Sequence, residues 1–133
     1  MPCKVKGQYC VNALEGVLMK GLSEWSLGSK AERTLLEQCR DAVRHLVPGA
    51  EVILYGSRAR GHAEPESDYD LLVLVDGPVN WQLEDLIRRG LYHFELERGV
   101  VITVNAYNRA DWYSPLYCAM PFQRNVEREG IML

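Results

Sequence analysis

Apolar residues recur at helical spacing in two long stretches of the chain, and each stretch carries the start and stop signals of a helix. The residues that share one face of the first stretch are Ala31, Leu35, Leu36, Cys39, Val43, Leu46 and Val47. Ser29 and Glu32 form a capping-box pattern at its start, and Pro48-Gly49 ends it. The residues that face inward in the second stretch, residues 80–97, are Leu83, Ile87, Leu91 and Phe94. The spacing predicts two amphipathic helices, the second stopped by Gly99.

Short β-prone runs lie between and after these two helices. Residues 51–55 contain Val-Ile-Leu, and residues 100–107 form a similar run. Residues 68–75 end in five consecutive apolar residues, which is typical of a strand covered on both faces. Because helices alternate with strands, the pattern predicts an α/β (α+β) fold with a small, mostly covered sheet.

The two ends of the chain carry weaker signals. Five apolar residues near the N-terminus are close to helical spacing: Val11, Leu14, Val17, Leu18 and Leu22. We expect residues 1–27 to be an N-terminal extension with a short helix that packs on the main body or on a partner. Ser114-Pro115 marks the start of a last helix, which Pro121 should kink and Gly130 should end. The whole chain, residues 1–133, is predicted to be a single domain.

Composition narrows the possible functions. The net charge is −3 and the sequence pI is about 5.6, whereas a protein that holds long nucleic acid by phosphate neutralisation usually has a basic excess. A single nucleotide, its charge met by a metal ion and one or two arginines, is compatible with this balance. No apolar run of membrane-spanning length occurs, and the N-terminus lacks the apolar stretch of a signal peptide. We therefore expect a cytoplasmic protein without membrane contact.

The four cysteines contain no C-x-x-C pair, which argues against a zinc cluster. We expect them to be ordinary reduced thiols, with Cys39 on an apolar helix face.

One polar stretch combines residues that suit phosphate binding. Gly56 follows a predicted strand, and a glycine there lets backbone N–H groups approach an anion closely at the start of the next turn. The hydroxyl of Ser57 adds a donor, and Arg58 and Arg60 offer charge-assisted contacts to phosphate oxygens. The candidate nucleotide-binding residues are therefore Gly56, Ser57, Arg58 and Arg60.

Two aspartates follow at a spacing that suits a metal ion. Asp68 and Asp70 are two residues apart at the start of a predicted strand, so their side chains leave the same face with Cα atoms roughly 7 Å apart. Two such carboxylates converge on one or two cations, and hard oxygen ligands suit magnesium or manganese. Asp76 has the same parity but lies roughly 20 Å further along the strand, so it is not expected to join them.

The order Gly-Ser, ten residues, then Asp-x-Asp and an apolar run resembles the signature of the DNA polymerase β-like nucleotidyltransferase superfamily. The form Gly-Ser-Arg-Ala-Arg-Gly resembles its minimal nucleotidyltransferase branch. The resemblance implies a nucleotidyltransferase fold with a small mixed β-sheet of three to five strands and flanking helices. It also implies that Gly56 and Ser57 hold phosphates, that Arg58 and Arg60 assist, and that Asp68 and Asp70 are catalytic ligands of Mg²⁺ or Mn²⁺.

One position departs from the family pattern. Members of the family usually carry a third acidic residue on the strand after the following helix, where this chain has Thr103, with Asn105 next on the same face. Neither side chain is a carboxylate, so a general base and one metal ligand are missing at that position. Glu95, Glu97 and Asp111 are the candidate substitutes.

Two functions follow from the resemblance. The first is transfer of a nucleoside monophosphate from a nucleoside triphosphate, ATP by preference, to a hydroxyl on a protein partner. Minimal members of the family are often paired with a small helical HEPN protein as antitoxin and toxin, which makes such a protein the expected partner. The second is a non-catalytic module that keeps the nucleotide pocket and works by masking its partner, as Thr103 would allow. A small-molecule nucleotidyltransferase is a weaker third interpretation, and a homo-oligomer is compatible with the sequence.

Overall fold

A computed structural model describes residues 19–133 and contains a five-stranded mixed sheet with helices on both faces. The strands are β1 (Lys20–Gly21), β2 (Glu51–Tyr55), β3 (Tyr69–Val75), β4 (Ile102–Asn108) and β5 (Ile131–Met132). The helices are α1 (Lys30–Leu46), α2 (Gly56–Arg60), α3 (Trp81–Arg98), α4 (Arg109–Trp112), α5 (Pro115–Cys118) and α6 (Pro121–Glu129), with a 3-10 turn at Leu22–Glu24. The predicted fold class is confirmed.

The strand order across the sheet is β1-β5-β2-β3-β4. Strand β2 is antiparallel to both β3 and β5, whereas β3 and β4 are parallel, as are β1 and β5. Helix α3 joins β3 to β4 and supplies the crossover connection that two consecutive parallel strands require. The register of the three strands β2, β3 and β4 determines which side chains meet at the site described below.

The helices divide between the two faces of the sheet. Helices α1 and α3 cover one face, where Leu36 and Ile87 share a core with Val52 and Val73. The other face is covered by α4 to α6, and there Trp112 and Val126 pack with Ile53, Leu72 and Leu74. Because both faces are covered, the run 71–75 is buried throughout, as its unbroken apolar sequence predicted.

Local signals account for the two long helices. The Ser29 side chain accepts a hydrogen bond from the Glu32 N–H, and the Glu32 carboxylate accepts one from the Ser29 N–H, so the predicted capping box is formed. Helix α3 begins after Asn80, whose side chain accepts a hydrogen bond from the Leu83 N–H, and ends at Gly99 with φ +65°. The predicted boundaries of these helices hold within one residue.

The outer edge of the sheet, strand β4, is protected by side chains of α3. Glu95 and Glu84 accept hydrogen bonds from the N–H groups of Ile102 and Ala106, and Arg88 donates to the carbonyl of Val104. An exposed strand edge invites pairing with another chain. These three side chains occupy groups that such pairing would need.

Several predictions about the chain ends are wrong. A helix was predicted from Val11 to Leu22, and its part up to residue 18 lies outside the described residues. Lys20–Gly21 is not helical but forms strand β1, because it pairs in parallel with β5. The last helix is not kinked at Pro121 but ends at Cys118, and α6 begins anew with Pro121 in its first turn, where a missing N–H costs nothing. Strand β5 and the short helix α4 were not predicted.

The cysteine prediction holds in part. Cys39 is free and buried on the inner face of α1, and burial raises the pKa of its thiol to about 12. Cys118 is disulfide-bonded, so the prediction that all four thiols are reduced is wrong. Spacing along a sequence does not show which cysteines meet in space.

Within the described residues, no helix is both long and apolar enough to cross a bilayer.

Candidate functional site

The predicted site residues gather where β2 ends and β3 begins. Antiparallel pairing sets Tyr55, the last residue of β2, opposite Asp70, and parallel pairing sets Thr103 of β4 on the other side of Asp70. Residues paired across a sheet point to the same face. Tyr55, Asp70 and Thr103 therefore share the face that α4 to α6 cover in part. The Gly-Ser turn, which follows Tyr55 directly, lies beside the Asp70 carboxylate.

Gly56 and Asp70 are in direct contact. Gly56 has φ +81°, a conformation that glycine adopts without strain and other residues adopt at a cost. A Cβ added to Gly56 would collide with Oδ2 of Asp70, because the carboxylate packs against the backbone of the turn. Both the conformation and the space require glycine here. The structure thus joins the two halves of the motif, which are separated by ten residues in the sequence.

The two aspartates carry charge that no basic side chain of residues 19–133 neutralises. Asp70 is half-buried, and its Oδ1 accepts a hydrogen bond of 2.6 Å from the Thr103 hydroxyl, a neutral donor. Asp68 is exposed and precedes β3 by one residue, so the strand begins one residue later than predicted. Neither aspartate takes part in any of the salt bridges of the described residues. Their charges are available to an added cation.

Thr103, which the family pattern places at the third acidic position, pairs with Asp70 across strands β3 and β4. The next residue on that face, Asn105, donates a hydrogen bond of 2.8 Å to the Tyr55 hydroxyl. Glu95 is engaged with the N–H of Ile102 at the outer edge of β4, and Asp111 lies in α4, past the far end of that strand. Among the described residues no group of three acidic, histidine or cysteine side chains is arranged to hold a metal ion. Neither these two residues nor Glu97 therefore completes a metal-binding triad with the two aspartates.

The remaining motif residues lie on α2. Ser57 is half-buried, and its carbonyl accepts a hydrogen bond from the N–H of His62. Arg60 is exposed and pairs with Glu129 of α6 at 3.3 Å. Arg58 instead turns inward to Glu32 and to the loop that precedes β3. The phosphate contacts expected of Arg58 and Arg60 stay predictions.

A family model described as a nucleotidyltransferase domain matches residues 36–129, more than two thirds of the chain. The chain belongs to this family. The match begins inside α1 and ends with α6, so this nucleotidyltransferase domain includes the Gly-Ser turn, both aspartates and Thr103. The resemblance to polymerase β-like nucleotidyltransferases inferred from the motif is confirmed. Among curated proteins, none matches the chain significantly.

Two residues near the motif of this nucleotidyltransferase domain were not singled out from the sequence. Tyr69 stands between the aspartates, so its side chain leaves the opposite face of the sheet and reaches Glu32 of α1 with its hydroxyl at 3.0 Å. Burial and the neighbouring Glu32 carboxylate raise the pKa of Tyr69 to about 12. The sequence could have indicated the direction of the Tyr69 side chain, because side chains alternate between the two faces along a strand. For Glu32 the sequence indicated only a role in the capping box of α1.

Proposed function

We propose that this domain transfers a nucleoside monophosphate from a nucleoside triphosphate, ATP by preference, to a hydroxyl group on a protein partner. The observation that carries the proposal is the contact between the Asp70 carboxylate and the Gly56 turn, beside a second aspartate and without a neutralising side chain from the described residues. Phosphate-binding backbone and metal-binding carboxylates are the two elements that nucleotidyl transfer needs in one place.

The donor set suits Mg²⁺ or Mn²⁺, the ions that the family resemblance implies. Asp68 and Asp70 offer hard carboxylate oxygens, and the half-buried Asp70 has only the neutral Thr103 hydroxyl as a hydrogen-bond donor among the described residues. A bound divalent ion would neutralise the triphosphate and the pyrophosphate that leaves. The two carboxylates would hold it, and Thr103 would keep one oxygen of Asp70 in place.

The chain's own groups then have defined tasks. The backbone N–H groups of Gly56 and Ser57, together with the Ser57 hydroxyl, hold the two phosphates that leave as pyrophosphate. The acceptor oxygen attacks the α-phosphorus, the bond from that phosphorus to pyrophosphate breaks, and the hydroxyl proton passes to a carboxylate oxygen of Asp70. Because Thr103 is no base, Asp70 must serve both as ligand and as proton acceptor. We expect slow transfer for that reason.

We further propose that the partner is a small helical protein of the HEPN type and that the two form an antitoxin and toxin pair. The form Gly-Ser-Arg-Ala-Arg-Gly supports this, since it resembles the minimal branch in which such pairs occur. The outer face of α3 also supports contact with a protein, because Trp81, Tyr92 and Leu96 are all more than half exposed on it.

A second function is favoured by the hydrogen bond between Thr103 and Asp70. A threonine that donates to Asp70 stabilises the carboxylate without adding a ligand, so the domain would bind nucleotide and mask a partner without transferring anything. In that case the aspartates matter for nucleotide binding but not for protection of the partner.

Transfer of label from ATP to the partner separates the two functions. ATP labelled at the α-phosphate should mark the candidate HEPN protein in the presence of Mg²⁺, whereas ATP labelled at the γ-phosphate should not. Asp70→Asn should abolish the label, and the control Asp76→Asn, at the far end of the same strand, should retain it. Absence of label with every nucleotide and metal, together with full protection of the partner by Asp70→Asn, would establish masking instead.

A further inference from the structure

Arg58 is tied into the protein by almost its whole guanidinium group. Its Nε and Nη2 donate to the carbonyl of Ser67 at 3.2 and 2.9 Å, and Nη2 also donates to the carbonyl of Pro65 at 3.0 Å. Its Nη1 forms an ion pair with Glu32 at 2.9 Å. Four of the five N–H donors of the side chain are thus engaged. The guanidinium carbon lies 4.3 Å from the centre of the Tyr69 ring.

The partners of Arg58 are themselves held together. The Tyr69 hydroxyl donates to the same oxygen of Glu32 that receives Arg58, and Glu32 is anchored as the capping residue of α1. Burial by itself raises the pKa of Glu32. The net pKa is nevertheless below its ordinary value, because Glu32 accepts hydrogen bonds from Ser29 and Tyr69 and lies beside the charge of Arg58. Glu32 therefore stays ionised and provides the ion pair of Arg58, which forms none with either aspartate.

These contacts surround Asp68 in the chain. The Ser67 carbonyl belongs to the same planar peptide unit as the Asp68 N–H, and the Tyr69 N–H donates to the carbonyl of Val101 at 2.9 Å. The backbone is thus held immediately before and immediately after Asp68. Asp68 is exposed and stands outside the strand, so without Arg58 only the hydrogen bonds between Glu64 and Ser67 would order the chain before it.

We propose that Arg58 is a positioning residue, which holds residues 61–68 through the carbonyls of Pro65 and Ser67 and so places Asp68 beside Asp70. Glu32 and Tyr69 orient Arg58 for this task. The inference rests on the proposed function, because it assigns Arg58 to the geometry of the metal-binding pair. It differs from the phosphate contact expected from the motif, since four donors already point into the protein.

Arg109 provides a matched control. It lies at the other end of β3, where it bonds to Glu51, Asp76 and the carbonyls of Gly49 and Leu74, so Arg109→Lys removes a comparable set of contacts far from the site. Arg58→Lys keeps the charge but loses the forked geometry that reaches two carbonyls and a carboxylate. Glu32→Gln and Tyr69→Phe remove the supporting contacts with smaller changes and keep the test valid should Arg58→Lys unfold.

Amide hydrogen exchange tests the inference independently of any nucleotide. The N–H groups of Glu64 and Ser67 are hydrogen-bonded inside the loop, so their exchange reports its order. Arg58→Lys should speed exchange in residues 61–68, Glu32→Gln and Tyr69→Phe should do so to a lesser degree, and Arg109→Lys should leave this segment unchanged. Unchanged exchange in Arg58→Lys, or in both milder variants if it unfolds, would overturn the proposal.

Mn²⁺ binding, measured by electron paramagnetic resonance with a non-hydrolysable ATP analogue, gives the second readout. Arg58→Lys should raise the half-saturating Mn²⁺ concentration about tenfold, the size expected for loss of an outer support of a metal ligand. Arg109→Lys should stay close to wild type. Faster loop exchange with unchanged Mn²⁺ binding would reduce Arg58 to a purely structural residue. If the wild type takes up no Mn²⁺, the proposed function fails, and the exchange data alone decide whether Arg58 orders the segment that carries Asp68.

Discussion

The two ends of strand β3 each hold a largely buried arginine among carboxylates, and they use it differently. At the far end, Arg109 pairs directly with Asp76, the residue that follows the strand, and with Glu51 of β2. At the near end, Arg58 pairs with Glu32 of α1, while Asp68 and Asp70 take part in no ion pair with the described residues. Aspartates stand at both ends, but within the described residues only the aspartate at the far end is paired with an arginine.

This difference separates a structural acid from a candidate functional one. A carboxylate is stabilised by a nearby cation, and the exposed Asp76 obtains one, Arg109, from its own chain. From residues 19–133, Asp70 receives only the hydrogen bond of the Thr103 hydroxyl and the close packing of Gly56. The near end would therefore gain from an added divalent ion, whereas the far end has no such need. The following substitutions test that contrast.

The largest effect is expected for Gly56→Ala. Gly49, at the other end of β2, provides a matched control, because it has φ +87° but no atom within 4 Å of an added Cβ. Both substitutions should cost about 1–2 kcal/mol of unfolding free energy for the left-handed conformation. Gly56→Ala should cost roughly 1–3 kcal/mol more, because its methyl group collides with Asp70. Urea unfolding measures both values.

The extra cost of Gly56→Ala has a specific check. In the background of Asp70→Ala the collision partner is gone, so Gly56→Ala should then cost no more than Gly49→Ala. An undiminished cost in that background would show that the carboxylate does not press on the turn.

An intermediate effect is expected for Thr103→Asp. A third carboxylate beside Asp70 should lower the unfolding free energy by about 1–3 kcal/mol in a chelator, because like charges repel at short range. Mg²⁺ or Mn²⁺ should restore the loss. Asn105→Asp, two residues along the same face, should show a smaller loss and less recovery. Thermal unfolding with and without divalent ions measures this, and equal recovery in the two variants would argue against a cation site at Asp70.

The smallest effect concerns pH, and the two ends should respond with opposite sign. Burial raises the pKa of Glu127, which accepts a hydrogen bond from Trp112 near Glu51, whereas the pKa of Glu32 is lowered overall. A carboxyl group whose pKa is raised by folding contributes stability that is lost as pH rises through its pKa in the folded state. A carboxyl group whose pKa is lowered by folding contributes stability that is lost as pH falls through its pKa in the folded state.

Urea unfolding from pH 3 to 7 measures the effect. As pH rises above 4.5, the ordinary pKa of a glutamate, the unfolding free energy of Glu127→Gln should increase relative to that of wild type. As pH falls below 4.5, the loss of unfolding free energy caused by Glu32→Gln should become smaller. Parallel pH profiles for the two variants would contradict the assigned environments.

Much of the fold followed from local signals. The capping box of Ser29 and Glu32, the apolar spacing of α3 and the unbroken run of β3 are properties of neighbouring residues, so their elements were predicted within one or two residues. Strands β1 and β5 have two residues each and exist because β5 pairs with β2 and β1 pairs with β5. No local pattern announces a strand that only a distant partner stabilises.

The sequence by itself determined the chemistry of the motif: a Gly-Ser turn, two aspartates of equal parity and a threonine where the family pattern led us to expect an acid. These depend on residue type and spacing along one chain. Only the tertiary structure decided how the motif is arranged, because contacts between strands and helices depend on register. It set the Asp70 carboxylate against Gly56, gave the Thr103 hydroxyl to Asp70, and turned Arg58 toward Glu32 rather than outward. Charge pairing between residues distant in sequence is settled by packing, which no spacing rule encodes.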